Sequence, residues 1–205
     1  MDIVMHQELK VTAFSHPDAK NYVGDLARLR IEVFREFPYL YEGNFAYEEK
    51  YLQTYVKARG SVVVICFAGD KVVGASTGVP LANEEDSFKA PMVAKGFNPD
   101  EVFYFGESVL EKSFRGLGVG KKFFLEREKH ARTIPGIKFA CFCSVVRPHD
   151  HALRPSTYQP LDGFWRSMGY APLEGAFMTY KWQDLDQSSE TEKKLQVWTK
   201  ALPPL

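Results

Sequence analysis

Ser113-Phe-Arg-Gly-Leu-Gly-Val-Gly-Lys-Lys122 gathers the groups best able to hold an anion. Gly116, Gly118 and Gly120 alternate between cations at Arg115, Lys121 and Lys122. Without a Cβ, alternating glycines let the backbone curl and bring its N–H groups close to a ligand. The stretch follows a predicted strand and opens a predicted helix, whose first turn adds unpaired donors and the positive end of a dipole. Backbone donors beside cations describe a phosphate or pyrophosphate site. Neither common glycine motif accounts for it. A Walker A loop needs glycine where Arg115 stands and a hydroxyl where Lys122 stands. A dinucleotide fingerprint begun at Gly116 and Gly118 needs glycine where Lys121 stands.

The elements that must position this loop follow from hydrophobic spacing. Gln7 to Phe14 alternates weakly and reads as a strand, with a break at Ser15 to Pro17. From Asp18 to Phe37, the residues Leu26, Leu29, Val33, Phe34 and Phe37 recur at helical spacing, and Pro38 stops the helix. A second helical run carries Tyr47, Tyr51 and Tyr55 four apart. Ser61 to Ala68, the Gly69-Asp70 turn and Lys71 to Val79 read as a hairpin. Pro80 to Asp100 is polar and reads as a long loop or short helix. Val102 to Leu110 is the strand leading into the glycine loop, and Val119 to Arg132 the helix leaving it. Ile137 to Val146 is a further apolar strand, followed by an irregular stretch and a short helix at Leu161 to Met168. Phe177 to Trp182 and Leu195 to Leu202 pair as a final hairpin with a long loop. No repeat or linker divides the chain, so a single domain spanning 1–205 is expected.

Composition narrows the function. Lys+Arg and Asp+Glu are equal at 26 each, which leaves no basic field to hold nucleic acid by counterion release. No apolar run approaches the roughly 20 residues of a membrane span. Met1-Asp-Ile-Val-Met-His-Gln-Glu8 lacks the charged and apolar regions of a secretory signal. Three cysteines, Cys66, Cys141 and Cys143, are an odd count. Cys141 and Cys143 fall on one strand face, a poor geometry for a mutual disulfide, so buried thiols in a reducing cytoplasm are expected.

Arg115-x-x-Gly118-x-Gly120 resembles the acetyl-coenzyme A pyrophosphate loop of the GNAT N-acetyltransferase superfamily. Phe164-Trp-Arg-Ser-Met-Gly-Tyr170 resembles that family's short helix ending in aromatic-x-x-x-Gly-aromatic. The element order β-α-α-β-β-β-α-β-α-β is also the family's, and the likeness runs from about Val23 to Trp182. Closer still is a bacterial branch with Gly106-Glu-Ser-Val-Leu110 before the loop and Arg147-Pro-x-x-His151 after the next strand. The resemblance implies an α/β (α+β) fold: a mixed, mostly antiparallel sheet of about seven strands flanked by helices, splayed between the fourth and fifth. It further implies transfer of an acetyl group from acetyl-CoA, a co-substrate, to a primary amine of a small molecule or peptide, by direct attack. Alternatives are a silent coenzyme A-binding module and a transferase of longer acyl chains. Pairing through the last strands, common in the family, would give a homodimer.

By the same resemblance, Val109 and Leu110 would bond the pantetheine arm through their backbone. Arg115, Gly116, Leu117, Gly118, Val119, Gly120 and Lys121 would cradle the pyrophosphate. Glu107, which interrupts an apolar strand, is the candidate base; it reads equally as a carboxylate that pairs with an arginine and orders the pocket. The family often places a tyrosine acid four residues before the helix-ending glycine, where this chain has Trp165. Indole has no suitable proton, so Tyr158 is the substitute candidate, or else a packing tyrosine. His149-Asp-His151 lacks a third well-spaced ligand and no metal is expected; His151 reads as ordering its loop or touching substrate. Tyr39, Tyr41, Tyr47, Tyr51 and Tyr55 fall where the family builds its acceptor pocket, although aromatic residues at this spacing also pack cores. Glu42, Glu48 and Glu49 would attract a cationic amine or form a solvated face.

Overall fold

A computed structural model describes residues 8–15 and 17–203. Seven strands form one sheet: β1 (Leu9–Ser15), β2 (Val62–Ala68), β3 (Lys71–Pro80), β4 (Val102–Leu110), β5 (Phe139–Val145), β6 (Ala171–Gln183) and β7 (Glu190–Ala201). Their order is β1-β2-β3-β4-β5-β7-β6, and only β4 and β5 run parallel. Helices α1 (Val23–Phe34) and α2 (Phe45–Lys57) cover one face, and α4 (Val119–Arg132) covers the other. Two shorter helices, α3 (Asp86–Val93) and α5 (Asp162–Ser167), add Phe88 and Met92 to the core on the first face and pack Phe164 and Trp165 against the core on the second. Among the described residues no helix is long and apolar enough to cross a membrane.

Coverage on both faces explains why β2 is apolar at every position. Val63 and Ile65 join Leu26, Leu29 and Leu52 under α1 and α2. Val62, Val64 and Cys66 join Val119, Phe123 and Ala131 under α4. Asn44 caps α2, its Oδ1 accepting from the Tyr47 N–H at 3.1 Å.

Three segments refine the expected boundaries. Asp18 to Phe37 is a 3₁₀ turn (Asp18–Tyr22) followed by α1, which ends at Phe34 rather than at Pro38. The polar stretch 80–100 contains α3 between two short 3₁₀ turns. The final hairpin is much longer than its apolar stretches, pairing as far as Gln183 with Glu190. Charged residues such as Glu190, Glu192 and Lys194 read as loop, but they alternate on a solvated edge hairpin. Gln7, assigned to the first strand, lies outside the described residues.

The site is positioned by a failure of pairing. β4 meets β5 only at Val102–Phe139, Phe103–Ala140 and Tyr104–Cys141. β5 then continues beside β7 up to Val145–Leu195, while β4 stays with β3 up to Leu110–Gly74. The two parallel strands therefore part after Tyr104 and leave a fork.

Candidate active site

A bulge opens the fork. Ser76 pairs with Ser108 and Gly78 with Phe105, so Thr77 alone faces both Gly106 and Glu107. The extra residue bends β4 and increases its twist. It also turns two successive residues to the α1–α2 face, where a Cβ on Gly106 would collide with the hydroxyls of Tyr55 and Thr77. Only glycine fits there. Buried Arg127 on α4 holds the bulge from the opposite face. Its guanidinium donates to the Thr77 and Glu107 carbonyls, each at 3.2 Å, and to Ser108 Oγ at 2.8 Å. The cation also lies over the Phe105 ring at 4.1 Å. Burial lowers its pKa to about 10, which still leaves it charged at neutral pH.

Backbone polarity follows from register. The Glu111 N–H donates to the Val73 carbonyl at 2.9 Å. Antiparallel partners alternate, so Val109, two residues back and opposite Ala75, also turns its N–H and C=O to β3. Ser108 and Leu110 turn theirs toward the fork. The sequence reading paired Leu110 with Val109, whose backbone groups this register turns to β3 instead.

Beyond the fork, Gly116 (φ 78°) and Gly118 (φ 80°) adopt the left-handed conformation, and Gly118 caps α4. Neither would bring a Cβ within 4 Å of another group, so both backbones face open space. Among the described residues, the N–H groups from Gly116 to Lys121 donate to no carbonyl or side chain. Six successive donors are thus available where the α4 dipole is positive. Leu117 is exposed. Arg115 does not point into this nest: its guanidinium forks onto Glu36 at 2.7 and 3.1 Å, and its Nε donates to the Leu110 carbonyl at 3.1 Å. That pair is exposed and worth only about 0–1 kcal/mol, so an incoming anion competes for it readily.

On the α1–α2 face the floor is ionic. Arg30 bonds Glu48 through Nε and Glu107 through a terminal nitrogen, with both carboxylates buried. Glu48 Oε1 and Glu107 Oε1 have no partner among the described residues. Alongside runs a hydroxyl chain: Tyr51 to Tyr55 at 3.2 Å, and Tyr55 to Glu84 at 2.9 Å. Burial, only partly offset by the Tyr55 bond, raises the Glu84 pKa to about 7. Gly106 and Arg30 line the inner end of a cavity of about 270 Å³, whose walls include Tyr41, Tyr51, Tyr180 and Trp182. Arg147 fastens the outer wall by donating to the carbonyls of Pro38 and Tyr39 and forking onto buried Asp184.

No protein-family model matches the sequence, and no curated protein does. Solved structures match its fold along nearly the whole chain. An acetyltransferase of the GNAT family from Streptococcus pneumoniae superposes with TM-score 0.56 at 11% identity, covering 96% of this chain and 100% of its own. The ribosomal-protein-alanine N-acetyltransferase from Brucella melitensis gives 0.59 at 13% identity, with coverages of 94% and 99%. The protein yncA from Salmonella typhimurium, solved with acetyl-CoA as its cofactor, gives 0.60 at 10% identity, with coverages of 95% and 94%. The fold is the GNAT fold.

The GNAT fold brings some of the predicted residues together and separates others. Glu107, Leu110 and the loop from Gly116 to Lys121 surround one fork. Tyr158 sits apart on the loop after β5, edge-on to Phe37 at 4.7 Å, with its pKa raised by burial. Phe37 adjoins Glu36, the partner of Arg115, so Tyr158 lies toward the rim. Trp165 packs on Trp198 and Phe142. His151 orders its own loop, its Nδ1 accepting from the Leu153 N–H at 3.2 Å. Cys141 is buried, and burial pushes Cys143 up to about 12, so neither is a thiolate at neutral pH. Tyr39, Tyr41, Tyr47 and Tyr51 line the cavity, whereas Tyr55 is buried beneath it. Arg30, Glu84 and Arg127 were not singled out as site residues. Arg127 was visible only as a cation on the apolar stripe of a helix, beside Val119 and Phe123.

Proposed function

We propose that the protein is an acyl-coenzyme A-dependent N-acetyltransferase that uses acetyl-CoA as co-substrate and a primary amine as acceptor. One observation carries this reading: six consecutive unpaired amides lie at the mouth of a fork whose exposed edge can bond an extended amide chain. The diphosphate would bind the amides of Gly116 to Lys121, and the pantetheine arm would pair with Ser108 and Leu110. The thioester then lies beside Gly106, at the inner end of the cavity.

In the reaction, the acceptor ammonium first loses a proton, because without a lone pair its nitrogen cannot attack. Glu107 Oε1, buried and uncommitted beside the bulge, is the proposed receiver. The amine nitrogen bonds the acetyl carbonyl carbon, the carbon–sulfur bond breaks, and the nitrogen sheds its second proton to solvent. Coenzyme A leaves as thiolate and is protonated by Tyr158 or by solvent. Tyr158 is protonated at neutral pH, although burial raises its pKa and so makes it a weaker donor. A second copy would pair along the open edge of β6, the end strand of the sheet.

A second reading is a coenzyme A-binding module without catalysis, favoured by Trp165 at the usual acid position and by the Arg30 pair on Glu107. Thiol release from acetyl-CoA over a panel of amines separates the two. Amine-dependent release supports the transferase; binding of coenzyme A without release for any amine supports the module.

A further inference from the structure

The cavity is more selective than amine transfer alone requires. Its volume of about 270 Å³ falls just below the roughly 300–1,000 Å³ typical of drug-sized ligands, which leaves room for one ring or a short branched chain. Tyr39, Tyr41, Tyr51, Tyr104, Tyr180 and Trp182 make its walls mostly aromatic. Tyr39 stacks on Trp182 at 6.0 Å between centroids, and the Tyr47 hydroxyl bridges to Tyr180 at 2.8 Å. Glu42, Lys181 and Glu190 also line the cavity, all exposed, and Glu42 pairs with Arg35.

The inner end is charged. Arg30 lines that end, with Glu48 and Glu107 buried behind it, and the three together carry one formal negative charge in excess. Each carboxylate keeps one buried oxygen without a partner among the described residues. Buried carboxylate charge is costly to leave uncompensated, and in a poorly screened interior the excess favours a cation in the adjoining cavity. Aromatic faces attract the same cation: Arg30 already lies 4.4 Å from the Tyr51 centroid and 5.0 Å from that of Phe34. Beyond the floor, the acids of the lining are Glu42 and Glu190, both exposed, and Glu42 is paired with Arg35, so the inner charges of a polyamine would meet aromatic walls alone. A peptide would have to leave most of its backbone outside so small a cavity.

Resting on the transferase reading, we propose that the acceptor is a small primary amine carried on an aromatic or compact apolar body. It enters with its ammonium toward the Gly106–Glu107 bulge and its body between Tyr41, Tyr180 and Trp182. The products are its N-acetyl derivative and free coenzyme A.

The test titrates 2-phenylethylamine, spermidine and a lysine-containing hexapeptide into the full chain saturated with coenzyme A, followed by calorimetry. Binding of 2-phenylethylamine alone is expected, and Tyr180→Ala should weaken it about tenfold. Preferred binding of spermidine or the hexapeptide overturns the proposal, as does an unchanged affinity in Tyr180→Ala. Octanoyl-CoA that excludes 2-phenylethylamine would show that the cavity holds an acyl chain, and also overturns it. Coenzyme A is titrated first: its failure to bind removes the transferase reading itself, whereas amine failure with coenzyme A bound removes only the acceptor class.

Discussion

Glu107 carries two duties that most side chains would not combine. One oxygen holds Arg30, and the other is buried without a partner beside the fork. If that second oxygen takes the amine proton, Glu107→Gln should cut turnover at neutral pH by about 10²–10⁴-fold, with coenzyme A affinity unchanged. Steady-state rates beside calorimetry check this, and rates like those of the parent would leave Glu107 a purely ordering role. Glu84 makes a separate demonstration, in stability. Burial lifts its pKa from 4.5 to about 7, so the folded protein keeps a proton that the unfolded chain releases earlier. Its contribution is complete below pH 4.5 and is lost as pH rises toward 7. The loss should be on the order of 3 kcal/mol. Urea unfolding of Glu84→Gln should show that slope flattened, with the Tyr55 bond kept by the amide oxygen. Parallel pH profiles for parent and variant would refute the assignment.

The bulged strand and the loop–helix junction form one device at the scale of elements. β4 supplies free backbone on its open edge, and α4 supplies free amides at its start, with Arg127 joining them. Arg127→Met should leave the Thr77 and Glu107 carbonyls without their donor. About 3 kcal/mol of stability should be lost in chemical denaturation. Coenzyme A affinity should fall as well, because the bulge loses its clamp; unchanged affinity would show that the bulge holds without it. At Gly118 the added Cβ meets only open space, so Gly118→Asp strains the backbone modestly while placing negative charge among the amides. Coenzyme A binding should vanish while the melting transition stays cooperative. Parent-like affinity would move the diphosphate elsewhere.

For the whole molecule, local features were readable in sequence and convergent ones were not. The β2–β3 hairpin shows in its β-branched runs around Gly69-Asp70, and the loop in its alternating glycines. Both are contiguous, so spacing alone reports them. The ionic floor joins Arg30, Glu48 and Glu107 from three elements, and spacing within any one of them gives no sign of it. The β6–β7 hairpin hid its length because an edge hairpin tolerates charge where a core strand does not. Arg127 was hidden by a general expectation that arginine stays solvated; only the bulge carbonyls it serves explain its burial. Acyl transfer at this fork requires main-chain amides at the start of α4 to hold a diphosphate. Amide hydrogen exchange, measured with and without coenzyme A, reads those groups directly. Protection of Gly116 to Lys121, together with Ser108 and Leu110, is the predicted result. Coenzyme A binding that leaves these amides exchanging as in the free protein would contradict it.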